Sequence, residues 1–113
     1  MHELSVTESI LKIAQRHANQ AGAKRITNIY MVIGQLSSLI DDSIQFYWHI
    51  ISKETLAEGA VLHFKRIPAE LKCLKCGYIY KPGDRELSCP SCDSISVKII
   101  KGEEFFLEAI DVE

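Results

Sequence analysis

The sequence is dominated by one stretch, CLKCGYIYKPGDRELSCPSC (residues 73–92), which contains all four cysteines of the 113-residue chain. They form two Cys-x2-Cys pairs separated by twelve residues, with Gly77 after the first pair and Pro90 inside the second. Each pair can form a tight turn that directs two sulfur atoms to one point. Two facing turns would close a tetrahedral site of four sulfur ligands, which is the pattern of structural zinc. We therefore predict zinc at Cys73, Cys76, Cys89 and Cys92.

A closed four-sulfur site predicts a structural metal, because no coordination position stays open for a substrate. Binding makes the module more negative, since the thiols lose their protons, and flanking lysines could offset this charge: Lys72, Lys75, Lys98 and Lys101. The segment is also too short to form an apolar core of its own. Metal binding is therefore expected to supply much of its folding free energy.

Two other interpretations of the cysteines stay open. Disulfides or free thiols are disfavoured, because the chain shows no signal peptide and no membrane-spanning apolar run, which predicts a reducing, cytoplasmic location. Iron is the second alternative, because CGYIYKPGD followed by CPSC resembles rubredoxin, an electron carrier with an iron–sulfur centre. The resemblance covers only residues 73–92, and rubredoxins place a much longer segment between their cysteine pairs. We therefore favour zinc.

Composition and motifs argue against several function classes. The chain is 47% hydrophobic and 25% charged, as in soluble globular domains. Its formal net charge of −2 argues against general nucleic-acid binding, which usually needs a basic excess. The sequence contains no glycine-rich phosphate loop, nucleophile elbow or His-Glu-x-x-His motif. We therefore predict a protein that is not an enzyme and that binds neither nucleic acid nor membrane.

The remaining sequence predicts an α+β fold. Apolar residues at helical spacing indicate one helix from a capping box at Ser5 to Gly22, and a second that begins at residues 41–43 and ends before Gly59. β-Branched and aromatic runs indicate three strands, at residues 26–33, 61–67 and 104–112. Two helices would pack on a three-stranded sheet, with the four-cysteine zinc-ribbon module inserted before the third strand.

The start of the chain, Met1-His2-Glu3, is a candidate nickel site. A free α-amine, the His2 amide nitrogen and the His2 imidazole can form fused chelate rings around a square-planar metal. Nickel(II) and copper(II) favour such nitrogen sites, whereas zinc does not. The Glu3 amide, its carboxylate or a distant side chain could fill the fourth position. A solvated terminus without function is the alternative.

The whole chain resembles the HypA/HybF family of nickel metallochaperones, which mature hydrogenase and, in some members, urease. The resemblance runs from MHEL at the start through IGQLS and AEGAVLHF to the paired Cys-x2-Cys motifs and a final strand. The combination of MHE at the terminus and a late four-cysteine module is specific for this resemblance, whereas neither motif alone would be.

This resemblance implies that His2 is the essential nickel ligand, with Glu3 beside it, and that the four cysteines hold structural zinc. An acidic residue at the start of the second helix helps nickel binding in some members, and Asp41 or Asp42 would be that residue here. The family passes nickel, with a HypB-type GTPase, to the hydrogenase large-subunit precursor, and some members supply urease maturation proteins. A nickel-binding domain would comprise residues 1–68 plus 103–113, and a zinc-binding domain residues 69–102. Linkers are expected near residues 68–72 and 99–104.

One position departs from the family. Many members have Gly-Glu-Leu-Ser where this chain has Gln35 in the second position, so a contribution of that carboxylate to metal or partner binding is not expected. The other histidines, His17, His49 and His63, are interpreted as surface or partly buried residues, with a secondary nickel ligand as the alternative. The sequence does not distinguish a monomer from a homodimer. The competing function classes are a zinc-ribbon adaptor that binds a protein partner and a rubredoxin-like electron carrier.

Overall fold

The computed structural model of the chain describes residues 3–39, 41–82 and 87–113. The chain forms two compact units. The first, here called the α+β unit, comprises residues 1–32, 38–65 and 106–113. The second, here called the cysteine unit, comprises residues 33–37 and 66–105. No helix in the described ranges has the length and apolarity needed to cross a membrane.

Helix α1 (Glu3–Gln20) opens the α+β unit. It buries an apolar stripe at helical spacing, Ile10, Leu11, Ala14 and Ala18. The predicted capping box at Ser5 is wrong, because Ser5 lies inside the helix and its carbonyl oxygen accepts a hydrogen bond from the Ser9 hydroxyl at 3.1 Å. Glu3 instead stands in the first turn, where a negative side chain interacts favourably with the helix dipole.

Helix α2 (Asp41–Ile51) packs against α1. Its first turn contains Asp41 and Asp42, and it buries Ile44 and Trp48. The helix ends earlier than predicted, since residues 52–59 form turns in which the Thr55 hydroxyl donates to the Ser52 carbonyl at 2.6 Å. Hydroxyl-to-backbone bonds of this kind compete with helical hydrogen bonds, which accounts for the early end.

A three-stranded sheet follows the predicted pattern. It contains β1 (Ile26–Gly34), β2 (Val61–Ile67) and β6 (Phe105–Val112) in the order β2-β1-β6. In the central strand, Ile29 and Met31 are buried alternate residues, whereas Asn28 and Tyr30 are only half-buried. Arg25 and Glu113 exchange backbone hydrogen bonds beside the sheet. The α+β class with two helices and a three-stranded sheet is therefore confirmed.

The cysteine unit contains a second sheet that was not predicted. It consists of β3 (Glu70–Cys73), β4 (Ile79–Tyr80) and β5 (Val97–Lys101) in the order β4-β3-β5, with both neighbours antiparallel to β3. The segments predicted as linkers at residues 68–72 and 99–104 are thus strands in part, since residues 70–72 lie in β3 and residues 99–101 in β5. Such short strands carry too few residues for an alternating pattern to identify them.

Gly34 and Gln35 make close contacts within the cysteine unit. A Cβ atom on Gly34 would collide with the carbonyl group of Gly102, so only glycine fits there. The side-chain Oε1 of Gln35 accepts a hydrogen bond from the Ala69 backbone N–H at 2.7 Å. A glutamine at this position therefore supplies an acceptor oxygen to the backbone, a role that needs no carboxylate charge.

Candidate metal centre

The first Cys-x2-Cys pair forms a closed backbone turn between β3 and β4. The Cys73 N–H donates to the Tyr78 carbonyl at 2.9 Å, and the Gly77 N–H donates back to the Cys73 carbonyl at 2.9 Å. Gly77 has a φ of 79°, in the left-handed region where glycine carries no steric penalty. The Cys76 N–H points to the Cys73 sulfur at 3.4 Å. The turn therefore directs the positive end of an N–H dipole at that sulfur.

The second pair repeats this backbone geometry. The Cys89 N–H donates to the Ser94 carbonyl at 2.9 Å, and the Asp93 N–H donates to the Cys89 carbonyl at 2.8 Å. Asp93 has a φ of 63° and stands four residues after Cys89, as Gly77 stands four residues after Cys73. The Ser91 N–H approaches the Cys89 sulfur at 3.4 Å. The two turns thus share their carbonyl hydrogen bonds and a left-handed fourth residue, which is glycine in the first and aspartate in the second. The N–H at the sulfur belongs to the third residue after Cys73 but to the second residue after Cys89.

The two turns bring the four predicted sulfur ligands together. All four Sγ atoms lie within 4.8 Å of one another, with Cys73 to Cys92 at 3.5 Å and Cys76 to Cys89 at 3.6 Å. These separations are far longer than a disulfide bond of about 2.05 Å. They approach the spacing of about 3.8 Å that tetrahedral geometry gives for Zn–S bonds of about 2.3 Å. The donor set therefore fits a tetrahedral ion, either zinc or iron.

The site is enclosed from one side. Cys73 and Cys89 are buried, whereas Cys76 and Cys92 are exposed. Leu71 and Tyr80 form a small cluster with the two buried cysteines, and Val97 packs against it. The Tyr80 hydroxyl donates a hydrogen bond to the Leu87 carbonyl. One side chain of each pair thus belongs to the core of the unit, so a bound ion would join the two turns through that core.

Without an ion, the thiols differ in acidity. The backbone N–H of Cys76 lowers the pKa of the Cys73 thiol to about 6, against the opposing effect of burial. At Cys92 the Ser94 backbone N–H, the largest single influence, lowers the pKa, but the neighbouring cysteines and burial together raise it to about 12. Four thiolates this close repel one another unless a cation joins them. Metal binding must therefore displace the Cys92 proton, and it weakens as the pH falls.

The predicted nickel ligands are placed only in part. His2 lies outside the described residues. Glu3 begins α1, and Asp41 and Asp42 lie in the first turn of α2. Among the side chains that the structure describes, the four cysteines are the only group of three or more metal-ligating residues close enough to share one ion. Glu3, Asp41 and Asp42 therefore do not form such a site without further ligands.

Sequence reasoning missed a polar network across the α+β sheet. The Nε2 atom of His63 on β2 lies 2.8 Å from the Asn28 side-chain oxygen on β1. The Asn28 Nδ2 donates to Asp111 on β6 at 3.1 Å, and the Tyr30 hydroxyl donates to the same carboxylate oxygen at 2.7 Å. Polar residues at alternate positions of β1 were the only available signal. The partners on β2 and β6 depend on strand pairing, which the sequence pattern did not predict.

Comparisons with known proteins all indicate the same family. The family model described as hydrogenase/urease nickel incorporation, metallochaperone, HypA matches residues 1–112. A hydrogenase maturation factor HypA of Dehalococcoides mccartyi is 43% identical over 113 residues, which cover 100% of this chain and 95% of the relative. The factor of the same name from Caldanaerobacter subterraneus is 39% identical over 114 residues and is covered completely.

Solved structures agree with this family. The solution structure of the Ni metallochaperone HypA from Helicobacter pylori superposes with a TM-score of 0.70 at 27% identity, covering 99% of this chain and 97% of that one. A second solution structure, of a HypA protein, gives a TM-score of 0.75 at 27% identity, with 100% and 97% covered. These findings confirm the resemblance inferred from the motifs. The chain therefore belongs to the HypA family of nickel-incorporation metallochaperones, the maturation factors of hydrogenase.

Proposed function

We propose that this protein binds one Ni(II) ion at its N-terminus and delivers it to the hydrogenase precursor, while zinc at the four cysteines has a structural role. The nickel ligands are His2 and the α-amine of Met1, with Glu3 beside them and Asp41 or Asp42 as supporting acids. Residues 1–68 plus 103–113 form the nickel-binding domain, and residues 69–102 the zinc-binding domain. The protein acts in the cytoplasm and is a carrier, not an enzyme.

The observation that carries this proposal is the family match over residues 1–112, which includes both motifs on which it depends. The chemistry of the two sets of donors supports different roles for them. Four sulfur atoms close a tetrahedral site and leave no position for an incoming ligand, as expected for a retained ion. Amine, amide and imidazole nitrogens at a chain end are few and accessible, as a transferable ion requires.

Delivery requires an acceptor with more or better-placed ligands. We assign this role to the hydrogenase large-subunit precursor, with a HypB-type GTPase as the intermediate partner. Urease maturation proteins are the alternative recipients, since the family description names both enzymes. Nickel moves by ligand exchange, so protonation of the His2 imidazole or competition by the acceptor would release it.

The test is a nickel titration of zinc-loaded protein with its native, untagged N-terminus, measured by calorimetry. The same titration is made with His2→Ala and with protein that carries a short extension before Met1. We expect one tight Ni(II) site in the native protein, lost in both variants, with the zinc content unchanged. Wild-type affinity in His2→Ala would disprove the site. Absence of binding in all three would favour the zinc-ribbon adaptor.

A further inference from the structure

We propose that His63 is a second, weaker ligand for Ni(II), oriented in advance by the network of Asn28, Tyr30 and Asp111 on the open face of the α+β sheet. This inference rests on the proposed nickel function. It adds to that function a place on the folded sheet where the cargo ion can dock outside the N-terminal site.

The network determines which nitrogen of His63 carries the proton. A carboxylate can only accept hydrogen bonds, so the group of Asn28 that lies 3.1 Å from Asp111 must be its NH2 group. The amide oxygen of Asn28 then faces His63 and can only accept. The Nε2 atom of His63, 2.8 Å away, must therefore donate a proton to it. In the neutral imidazole this leaves the lone pair on Nδ1.

The ring is also held in place. The Tyr30 and His63 rings stack with their centroids 4.7 Å apart and an angle of 14° between their planes. Tyr30 is itself fixed, because its hydroxyl donates to Asp111 at 2.7 Å. Stacking fixes the plane of the imidazole, and the bond to Asn28 fixes its rotation within that plane. The ring therefore loses little freedom when a ligand binds.

Nδ1 is available for such a ligand. His63 is exposed, and no group among residues 3–39, 41–82 and 87–113 forms a hydrogen bond with its Nδ1. A histidine that binds metal through one nitrogen almost always donates its other N–H to an oxygen, which fixes the tautomer and raises ligand basicity. Here the oxygen belongs to Asn28, and the Asp111 carboxylate behind it supplies negative charge. Ni(II) is an ion that imidazole nitrogen suits.

A single protein ligand makes the site weak, as a transit site should be. Water or the donor groups of a partner protein would complete the coordination. The two described histidines on helices provide internal controls. His17 and His49 are also exposed, but their imidazoles form no hydrogen bond, ion pair or ring contact with another described residue. If exposure alone attracted nickel, all three histidines would bind it equally.

The experiment uses zinc-loaded, full-length His2→Ala protein with 15N-labelled histidines. NMR first assigns the tautomers, and Ni(II) is then added while paramagnetic broadening of each imidazole is followed. We expect His63 to carry its proton on Nε2, and to broaden at Ni(II) concentrations about tenfold lower than His17 and His49, the size of effect that second-shell partners have. In the variant that also carries Asn28→Ala, His63 should respond like the other two.

Several results would overturn the inference. They are a proton on Nδ1 of neutral His63, simultaneous broadening of all three histidines, or an unchanged His63 response in Asn28→Ala. The tautomer is measured without any substitution in the network, so this test holds even if Asn28→Ala fails to fold. Because His2 is absent from the protein used, these outcomes are independent of the N-terminal site. Failure of the N-terminal site would appear only in the calorimetric titration described above.

Discussion

The two units of this protein are stabilised in different ways. The α+β unit buries large apolar side chains from both helices and the sheet, among them Ile10, Ile29, Met31, Ile44 and Trp48. The buried cluster of the cysteine unit consists of Leu71, Tyr80 and two cysteines. Outside this cluster the cysteine unit buries Ile33 and Ala69 but leaves several large apolar side chains exposed, and Ile95 is 83% exposed. One unit can therefore hold its shape by hydrophobic burial, whereas the other depends on what joins its cysteines.

The largest expected effect comes from removing the metal. Treatment with a strong chelator, or Cys89→Ser, should unfold the cysteine unit, because structural zinc contributes on the order of 10 kcal/mol to such modules. The α+β unit should stay folded. Amide NMR signals of residues 66–105 report the cysteine unit, and fluorescence of Trp48, the only tryptophan, reports the α+β unit. If metal removal changed the NMR signals and the Trp48 fluorescence together, both units would depend on the metal.

A cavity in the core of the α+β unit should destabilise that unit and leave the cysteine unit unaffected. Ile29 is completely buried in the central strand of the α+β unit. Ile29→Ala should lower the free energy of unfolding by about 2–5 kcal/mol, because it removes buried methyl groups and leaves a cavity. Urea denaturation followed by Trp48 fluorescence measures the change, and zinc affinity should stay the same.

The matched control for this cavity is Ile95→Ala, at an exposed position of the cysteine unit. Surface substitutions of this kind change stability by less than about 0.5 kcal/mol. A large loss of stability in Ile95→Ala would mean that the exposed apolar residues of the cysteine unit contribute more than their exposure indicates.

The sequence predicted features that depend on residues close together in the chain. Cys-x2-Cys spacing, with Gly77 beside the first pair, was enough to identify the four sulfur ligands. Apolar residues at helical spacing likewise located α1, and β-branched runs located the strands β1, β2 and β6. Each of these patterns is complete within about twenty residues, so distant contacts could not alter its meaning.

Features that depend on strand pairing were missed. The pairing of β3 with β5 joins Lys72 to Lys98, which are 26 positions apart in sequence. The network of His63, Asn28 and Asp111 likewise needs the relative register of three strands. A shift of one residue would place Asn28 on the buried face. The equivalence of Gly77 and Asp93 was also hidden, because it is a property of backbone dihedral angles and the two residue types differ.

That equivalence gives the smallest and most specific test within the cysteine unit. Gly77 and Asp93 occupy the same left-handed position of the two cysteine turns, with φ values of 79° and 63°. Alanine is strained in this conformation, whereas glycine is not and aspartate tolerates it. Gly77→Ala and Asp93→Ala should each cost about 1 kcal/mol, which corresponds to about a fivefold loss of zinc affinity.

Asp93→Gly is the matched control, since it keeps the left-handed turn without a side chain. Its zinc affinity, measured by competition with a chromogenic chelator, should stay within about twofold of wild type, because glycine adopts positive φ readily. If Asp93→Gly lost as much affinity as Asp93→Ala, the Asp93 carboxylate would contribute to the site directly. Zinc affinity at the first turn would then depend on backbone conformation alone, whereas at the second turn it would also depend on the Asp93 side chain.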